Sequence, residues 1–203
     1  MTIFKKLPKL FQHIFLFLLV CFSLIFSTFS YAISANQLVK DARSQIGQTL
    51  TYDPAYTRLS YPMGDVPIQK GVCTDVVIRA LRKQNIDLQK VIHEDMKRNF
   101  KAYPQLWGLK NTDRNIDHRR VPNIAKYMTR QGYSVQKSPF KTVLFEAGDI
   151  VTWDLGRGLV HIGIVSDRKS WAQVPLIIHN IGRGTQEENI LLQYKITGHY
   201  RIS

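Results

Sequence analysis

The sequence predicts an α+β fold in which helices come first and an antiparallel sheet follows. Apolar residues recur at helical spacing in "NQLVKDARSQI" (36–46) and in "CTDVVIRALRK" (73–83). The last third instead contains short β-branched runs bounded by Gly, Asp and Pro: "AGDIVTWDL", "GLVHIGIVSD", "PLIIHNIG" and "YKITGHYRI". Because the two kinds of segment are separated along the chain, α+β is favoured over an alternating α/β fold.

The first 32 residues have the composition of a signal peptide. Three lysines precede an apolar run from Leu10 to Phe26, and Ser30-Tyr31-Ala32 supplies a small-residue cleavage site. A permanent membrane anchor is the alternative, because the run and its flanks are nearly long enough to cross a bilayer of about 30 Å. Cleavage after residue 32 is the favoured interpretation. It predicts an exported protein, periplasmic or secreted, with no stable membrane anchor.

Residues 33–203 fit one domain, since no linker, charge block or repeat interrupts them. The whole chain carries a net charge of +13, from 28 basic and 15 acidic residues, and the three leader lysines contribute three of those charges. For an exported protein this charge favours an anionic cell-envelope polymer or lipid headgroup as partner. The basic residues are scattered rather than interleaved with aromatic residues, so a nucleic-acid groove is not expected.

A single cysteine, Cys73, remains once Cys21 is removed with the leader. An unpaired cysteine in an exported protein indicates either a reactive thiol or a small buried apolar side chain. Cys73 follows Gly71 and begins a predicted helix, with Thr74 or Asp75 available as a cap. A helix N-terminus lowers the pKa of a thiol from about 8.5, and the thiolate is the nucleophilic form. The position therefore predicts an activated thiol.

The middle of the chain, residues 86–136, is predicted to be mainly helical. His93 and His118 lie among charged residues there, which is typical of solvent-exposed histidines. His118 could alternatively contact an anionic substrate together with Arg119 and Arg120.

Two further histidines lie inside predicted strands, His161 in "VHIGIV" and His179 in "IIHNIG". Either one alone is more typical of a hydrogen-bonded core residue. Opposite side chains on neighbouring antiparallel strands lie about 5 Å apart, close enough for one imidazole to orient the other. Together with Cys73 they match the pattern of nucleophile, base and orienting group.

The ordered motifs "GVCTD", "GDIVTW", "HIGIV" and "IIHNIG" resemble the NlpC-type papain-like cysteine peptidases, secreted bacterial enzymes that cut peptidoglycan stem peptides. The resemblance implies a papain-like fold with the nucleophile at a helix start, packed on the C-terminal sheet. It also implies Cys73 as nucleophile, His161 as general base and His179 as orienting residue, with no metal or cofactor. "GVCTDVVIRA" and the C-terminal motifs also resemble an uncharacterised secreted bacterial family related to these peptidases.

The chain departs from the peptidase pattern at two places. Thr74 and Asp75 follow the cysteine where the family has small residues, which predicts a wider cleft mouth or a carboxylate near the substrate. The segment from Ile86 to Asp117 has no clear counterpart in the family.

The roles around the three main residues leave alternatives open. The family places a tyrosine before the cysteine to stabilise the oxyanion; Tyr52 is the first candidate and Tyr61 the second. Asn180 or Asp75 could replace His179 as the orienting residue.

The sequence thus predicts an exported cysteine hydrolase, an amidase or endopeptidase, that cleaves an amide bond in peptidoglycan stem peptides. A zinc-dependent hydrolase or zinc-binding protein is one alternative, because Cys73, His161 and His179 are all acceptable zinc ligands. A non-catalytic cell-wall-binding module and a thiol acyltransferase on the same fold are the others.

Overall fold

Helices and strands are segregated along the chain in the computed structural model, which describes residues 33–135 and 145–202. The predicted signal peptide, residues 1–32, lies outside the described residues. The α-helices are α1 (Ala35–Arg43), α2 (Cys73–Lys83), α3 (Leu88–Asn99) and α4 (Val121–Arg130). Two 3-10 turns, Phe100–Ala102 and Asp117–Arg119, lie between α3 and α4.

The strands form a five-stranded antiparallel sheet and a small parallel pair. The strands are β1 (Thr51–Tyr52), β2 (Lys70–Gly71), β3 (Ile150–Gly156), β4 (Leu159–Lys169), β5 (Pro175–His179), β6 (Gln186–Glu188) and β7 (Lys195–Tyr200). The sheet order is β6-β5-β4-β3-β7, and β1 pairs with β2. The predicted α+β class with an antiparallel C-terminal sheet is therefore confirmed.

The sheet contributes to two hydrophobic clusters because strand side chains alternate between its faces. Ile162 and Ile164 of β4 belong to the larger cluster, which also contains the apolar face of α2. Val165 belongs instead to a smaller cluster around Trp153. The indole of Trp153 is fully buried, and its Nε1 donates a hydrogen bond to the carbonyl of Leu191 at 3.0 Å. Helix α2 packs against the face of the sheet that carries Ile162 and Ile164.

The start of α2 is stabilised by Asp75 rather than by a side chain at its N-cap, Val72. The Asp75 carboxylate accepts the Val72 amide at 2.7 Å, which satisfies one of the donors left unpaired at a helix start. Gly71 is needed here because a Cβ at this position would lie 2.9 Å from Asp75 Oδ2. Cys73, the first residue of the helix, is therefore rigidly placed.

The residues from Ile33 onward cluster as one compact unit. Among the described residues, no helix has the length and apolar character needed to cross a membrane.

Candidate active site

Cys73 is buried at the start of α2 and contributes to the wall of a cavity of about 220 Å³. We call this the thiol cavity. Its lining residues are Tyr52, Pro54, Val72, Cys73, Trp107, Ile116, Arg119, Arg120, Val121, Pro122 and Val160. The sulfur is thus shielded from bulk solvent but borders a space that a small part of a substrate can enter.

Burial raises the pKa of the Cys73 thiol to about 12, and the negative charge of Asp75 acts in the same direction. Backbone amides of Ile162, Thr74 and Cys73 itself oppose this and lower the thiol pKa, since N–H groups stabilise a thiolate. Desolvation is the largest of these effects. The expectation of a lowered thiol pKa was therefore wrong for the unliganded protein: the helix start contributes, but burial outweighs it.

His161 and His179 contact each other directly. His161 Nε2 lies 3.0 Å from His179 Nδ1, with the rings nearly perpendicular at 86° and their centroids 5.0 Å apart. The register pairs Ile164 with Ile178, so the two histidines are diagonal neighbours rather than directly opposite. The absent side chain of Gly163 leaves the room they need, because a Cβ there would lie 3.2 Å from the Cβ of His179.

The other nitrogen of His161, Nδ1, makes no hydrogen bond to any residue that the structure describes, and the ring lies against Trp153 at a centroid distance of 5.8 Å. The strand also approaches the thiol, because the amide of Ile162, the next residue after His161, acts on the Cys73 sulfur. The backbone of β4 therefore reaches the thiol, whereas neither imidazole contacts the Cys73 sulfur or lines the thiol cavity among the described residues.

A fourth residue, Glu188, extends this group and was missed by the sequence reasoning. Its Oε2 lies 3.2 Å from the buried Nε2 of His179, which is an ion-pair distance. The angle does not meet the requirement for a hydrogen bond. Arg183 forms an ion pair with the same carboxylate. No sequence signal identifies Glu188, because the pairing of β6 with β5 is visible only in the fold.

Both histidines are neutral at pH 7. Burial, and to a smaller extent the neighbouring His179, lower the pKa of His161 to about 3. Burial also lowers the pKa of His179 to about 4, against the opposing effect of Glu188. A neutral His161 can act as a base, which a charged one cannot.

Tyr52 lies on the thiol cavity, whereas Tyr61 does not. Burial raises the pKa of Tyr52 to about 12, and the next largest cause is the nearby Cys73. The phenol is therefore protonated and can donate. Tyr61 packs instead against His93, with ring centroids 5.2 Å apart, so the second oxyanion candidate lies elsewhere.

The two alternative orienting residues have other partners. Asn180 donates to the carbonyls of Gly71 at 3.0 Å and Thr51 at 3.3 Å, which ties β5 to the β1–β2 pair. Asp75 forms a bidentate pair with Arg119, at 2.9 Å for each contact. Neither residue orients His161 in this structure, so these two alternatives were wrong.

Thr74 and Asp75 do not open the cleft either, because both are buried. The Thr74 hydroxyl donates to the carbonyl of Arg119 at 3.1 Å. The departure from small residues after the cysteine thus reflects internal packing, and the expected carboxylate near the substrate is absent from the thiol cavity lining.

The prediction that His118 is exposed was wrong. Its side chain is buried, and desolvation followed by the positive charge of Arg119 lowers its pKa to about 4. It lies on the 3-10 turn Asp117–Arg119, away from the lining of the thiol cavity. The charged residues next to His118 suggested exposure, but Arg119 and Asp117 belong to ion pairs with buried members. His93 is partly buried.

The segment 86–117, which the peptidase pattern does not explain, contributes Trp107 and Ile116 to the thiol cavity. A second cavity of about 420 Å³ shares Val121, Pro122 and Val160 with it and continues past Lys126. The two cavities are therefore adjacent, and Cys73 lies on the first of them.

The zinc alternative has no geometric support in the part of the chain that the structure describes. No group of three or more His, Cys, Asp or Glu side chains there is arranged to hold a metal ion. His161 Nε2 and His179 Nδ1 bond to each other instead.

Comparisons with known proteins identify the family. The chain is 56% identical over 171 residues to "Uncharacterized protein YijF" of Escherichia coli (strain K12), and the match covers 83% of this chain and 82% of that protein. No solved structure matches. The family described as "Domain of unknown function (DUF1287)" matches residues 39–202. This chain belongs to the DUF1287 family.

Proposed function

We propose that this protein is an exported cysteine hydrolase with a papain-like site, related to the NlpC-type peptidases, that cleaves amide bonds in peptidoglycan stem peptides. The observation that carries the proposal is the hydrogen bond between His161 and His179, since His161 precedes Ile162, whose amide acts on the thiol at the start of α2. The bond at 3.0 Å uses Nε2 of His161 and leaves its Nδ1 available to a reacting group. Nucleophile, base and orienting residue are then three different side chains, as covalent catalysis requires.

The tautomers of the two histidines follow from Glu188. The Glu188 carboxylate lies 3.2 Å from His179 Nε2, and its negative charge favours the tautomer of His179 that carries the proton on Nε2. Its Nδ1 is then an acceptor and takes the Nε2 proton of His161. The Nδ1 of His161 is consequently the unprotonated nitrogen, the form that a general base needs.

In the reaction, His161 Nδ1 takes the Cys73 proton as the sulfur attacks the carbonyl carbon of the substrate amide and forms the C–S bond. The backbone amide of Cys73 and the protonated hydroxyl of Tyr52 stabilise the oxyanion. The imidazolium returns its proton to the amide nitrogen, the C–N bond breaks and the amine leaves. Water, deprotonated by His161, then hydrolyses the thioester and restores the thiol.

The surroundings of the thiol favour an anionic substrate. Of the residues lining the thiol cavity, Arg119 and Arg120 are charged, and none is Asp or Glu. The chain as a whole is also basic, at +13. An anionic wall polymer outside the membrane fits both features, since fields of this sign raise the local concentration of anionic ligands.

Digestion of purified peptidoglycan by residues 33–203 tests the proposal, with mass spectrometry of the soluble products. We expect new amine and carboxylate termini from the native protein, none from Cys73→Ala, and far fewer from His161→Ala in the same time. An added amine that becomes joined to the product would instead identify acyl transfer. An unchanged wall with the folded native protein, or equal digestion by Cys73→Ala, would refute thiol hydrolysis of this substrate.

A further inference from the structure

The guanidinium of Arg120 lies over an aromatic ring at the edge of the thiol cavity. Its central carbon is 4.0 Å from the ring centroid of Trp107, within the range of a cation–π contact. One of its nitrogens, Nη1, donates to Asp117 Oδ1 at 3.2 Å. The ring and the carboxylate hold the guanidinium in one orientation before any ligand arrives.

Most of the donors of Arg120 remain unused. A guanidinium has five N–H groups in a planar fork. The bond to Asp117 uses one of them, and no other described residue accepts from Arg120. The neighbouring Arg119 differs, because both edges of its fork are occupied by the buried Asp75 and by backbone carbonyls. Arg120 is thus the arginine of this cavity with donors to spare.

Arg120 lies in the wall of the same cavity as the thiol, so its free donors are available to a ligand there. The side chain lines the thiol cavity together with Cys73, and Trp107 comes from the segment 86–117 that has no counterpart in the peptidase pattern. A carboxylate is the ligand whose two oxygens match a guanidinium edge. The adjacent second cavity also has no Asp or Glu in its lining.

We propose that Arg120, held on Trp107, binds a carboxylate of the substrate and so fixes which amide bond is presented to Cys73. Arg120 is then a specificity-determining residue, and the ligand class is a peptide with a free carboxylate close to the scissile amide. The inference rests on the proposed function, because only a hydrolase has a scissile amide. Binding of the carboxylate by Arg120 does not itself require cleavage.

The test therefore measures binding with the catalytically inactive Cys73→Ala protein. Two synthetic stem peptides are the probes, one with its carboxylates free and one with each converted to a carboxamide, and titration calorimetry gives the dissociation constants. We expect Arg120→Gln in this background to weaken binding of the carboxylate peptide about ten- to a hundredfold and to leave the carboxamide peptide unchanged. Arg120→Lys, which keeps the charge but loses the fork, should fall between.

Lys169→Gln is the matched control, since it removes one positive charge from an exposed position at the far end of β4. Thermal unfolding of each variant shows whether the loss of the partner of Asp117 has disturbed the fold, and Arg120→Lys retains that pair. Equal weakening of both peptides, an equal effect of Lys169→Gln, or no binding of the carboxylate peptide to the folded Cys73→Ala protein would overturn the inference. Lack of hydrolysis by the native protein would overturn the proposed function alone.

Discussion

Asp75 and Arg119 form a buried bidentate ion pair at the start of the helix that carries the thiol. Two nitrogens of Arg119 each lie 2.9 Å from the Asp75 carboxylate, and the two side chains are 2% and 4% exposed. The same carboxylate holds the Val72 amide, while Arg119 also donates to the carbonyls of Asp53 and Ala55. The pair therefore connects the start of α2 to the loop that follows Tyr52.

Breaking this pair should destabilise the protein strongly. Asp75→Ala leaves a buried guanidinium without its counter-ion, so we expect the free energy of unfolding to fall by about 3–5 kcal/mol. Urea denaturation monitored by circular dichroism measures it. Lys70→Met is the control: it breaks the more exposed pair with Asp53 and should lower the free energy of unfolding far less than Asp75→Ala does. Similar small losses for both variants would contradict a structural role for Asp75.

The resting thiol should be neutral, because burial raises its pKa to about 12. Alkylation of Cys73 by iodoacetamide should accordingly be slow at pH 7 and still be rising above pH 9, where a free cysteine of pKa about 8.5 approaches its plateau. A matched model thiol supplies the reference curve. A rate that levels off below pH 7 would show that thiolate is already present in the unliganded protein and would contradict the raised thiol pKa.

The fold class was predictable because it depends on local periodicity. The helical spacing at residues 73–83 and the β-branched runs around His161 and His179 each identify an element without knowledge of its neighbours. Predicting that the two histidines meet required one further assumption, that consecutive strands pair, and β4 and β5 do so.

The burial of individual site residues could not be predicted from the sequence. His118 stands among charged letters, yet Arg119 beside it is neutralised by Asp75, which is 44 positions earlier in the chain. The same long-range packing buries Cys73 and reverses the expected direction of its pKa shift. Glu188 lies near His179 only because β6 folds back on β5. Such effects depend on tertiary contacts between distant residues.

The protein should lose stability as the pH falls from about 6.5 to 4. The pKa values of His118, His161 and His179 are lowered to about 4, 3 and 4 in the folded state, whereas unfolded histidines titrate near 6.5. The unfolded chain therefore binds more protons across this window, and each histidine contributes up to about 1.4 kcal/mol per pH unit. Denaturant unfolding at several pH values measures the slope.

His118→Phe separates one contribution from the others, because it removes a titrating group outside the thiol cavity and roughly keeps its volume. The slope of unfolding free energy against pH between 6.5 and 4 should decrease by about one histidine's share. An identical slope in the variant would mean that His118 is protonated in the folded protein.

The His161–His179–Glu188 chain predicts graded effects on activity. His161→Ala removes the base and the proton donor, so the hydrolysis rate should fall about a hundredfold to ten-thousandfold. His179→Ala should cost less, since it loosens the imidazole without removing it, and His179→Asn or His179→Gln should recover part of the loss. Peptidoglycan digestion rates measure this order; a larger loss for His179→Ala than for His161→Ala would reverse the two assignments.

The tautomers can be tested without activity. In ¹⁵N-labelled protein at pH 7, the imidazole shifts should show His179 and His161 both protonated on Nε2, with both Nδ1 atoms unprotonated. The reason is that the Glu188 carboxylate, 3.2 Å from His179 Nε2, favours a proton on that nitrogen. Glu188→Gln retains an acceptor oxygen and should preserve this pattern. Glu188→Ala removes the acceptor, so His179 should become a mixture of tautomers. His161 should then also become a mixture, because it bonds to His179. Arg168→Gln, which alters an exposed ion pair with Glu187, is the control and should leave both rings unchanged. A His161 ring protonated on Nδ1 in the native protein would contradict its role as a base toward Cys73, whatever the wall assay shows.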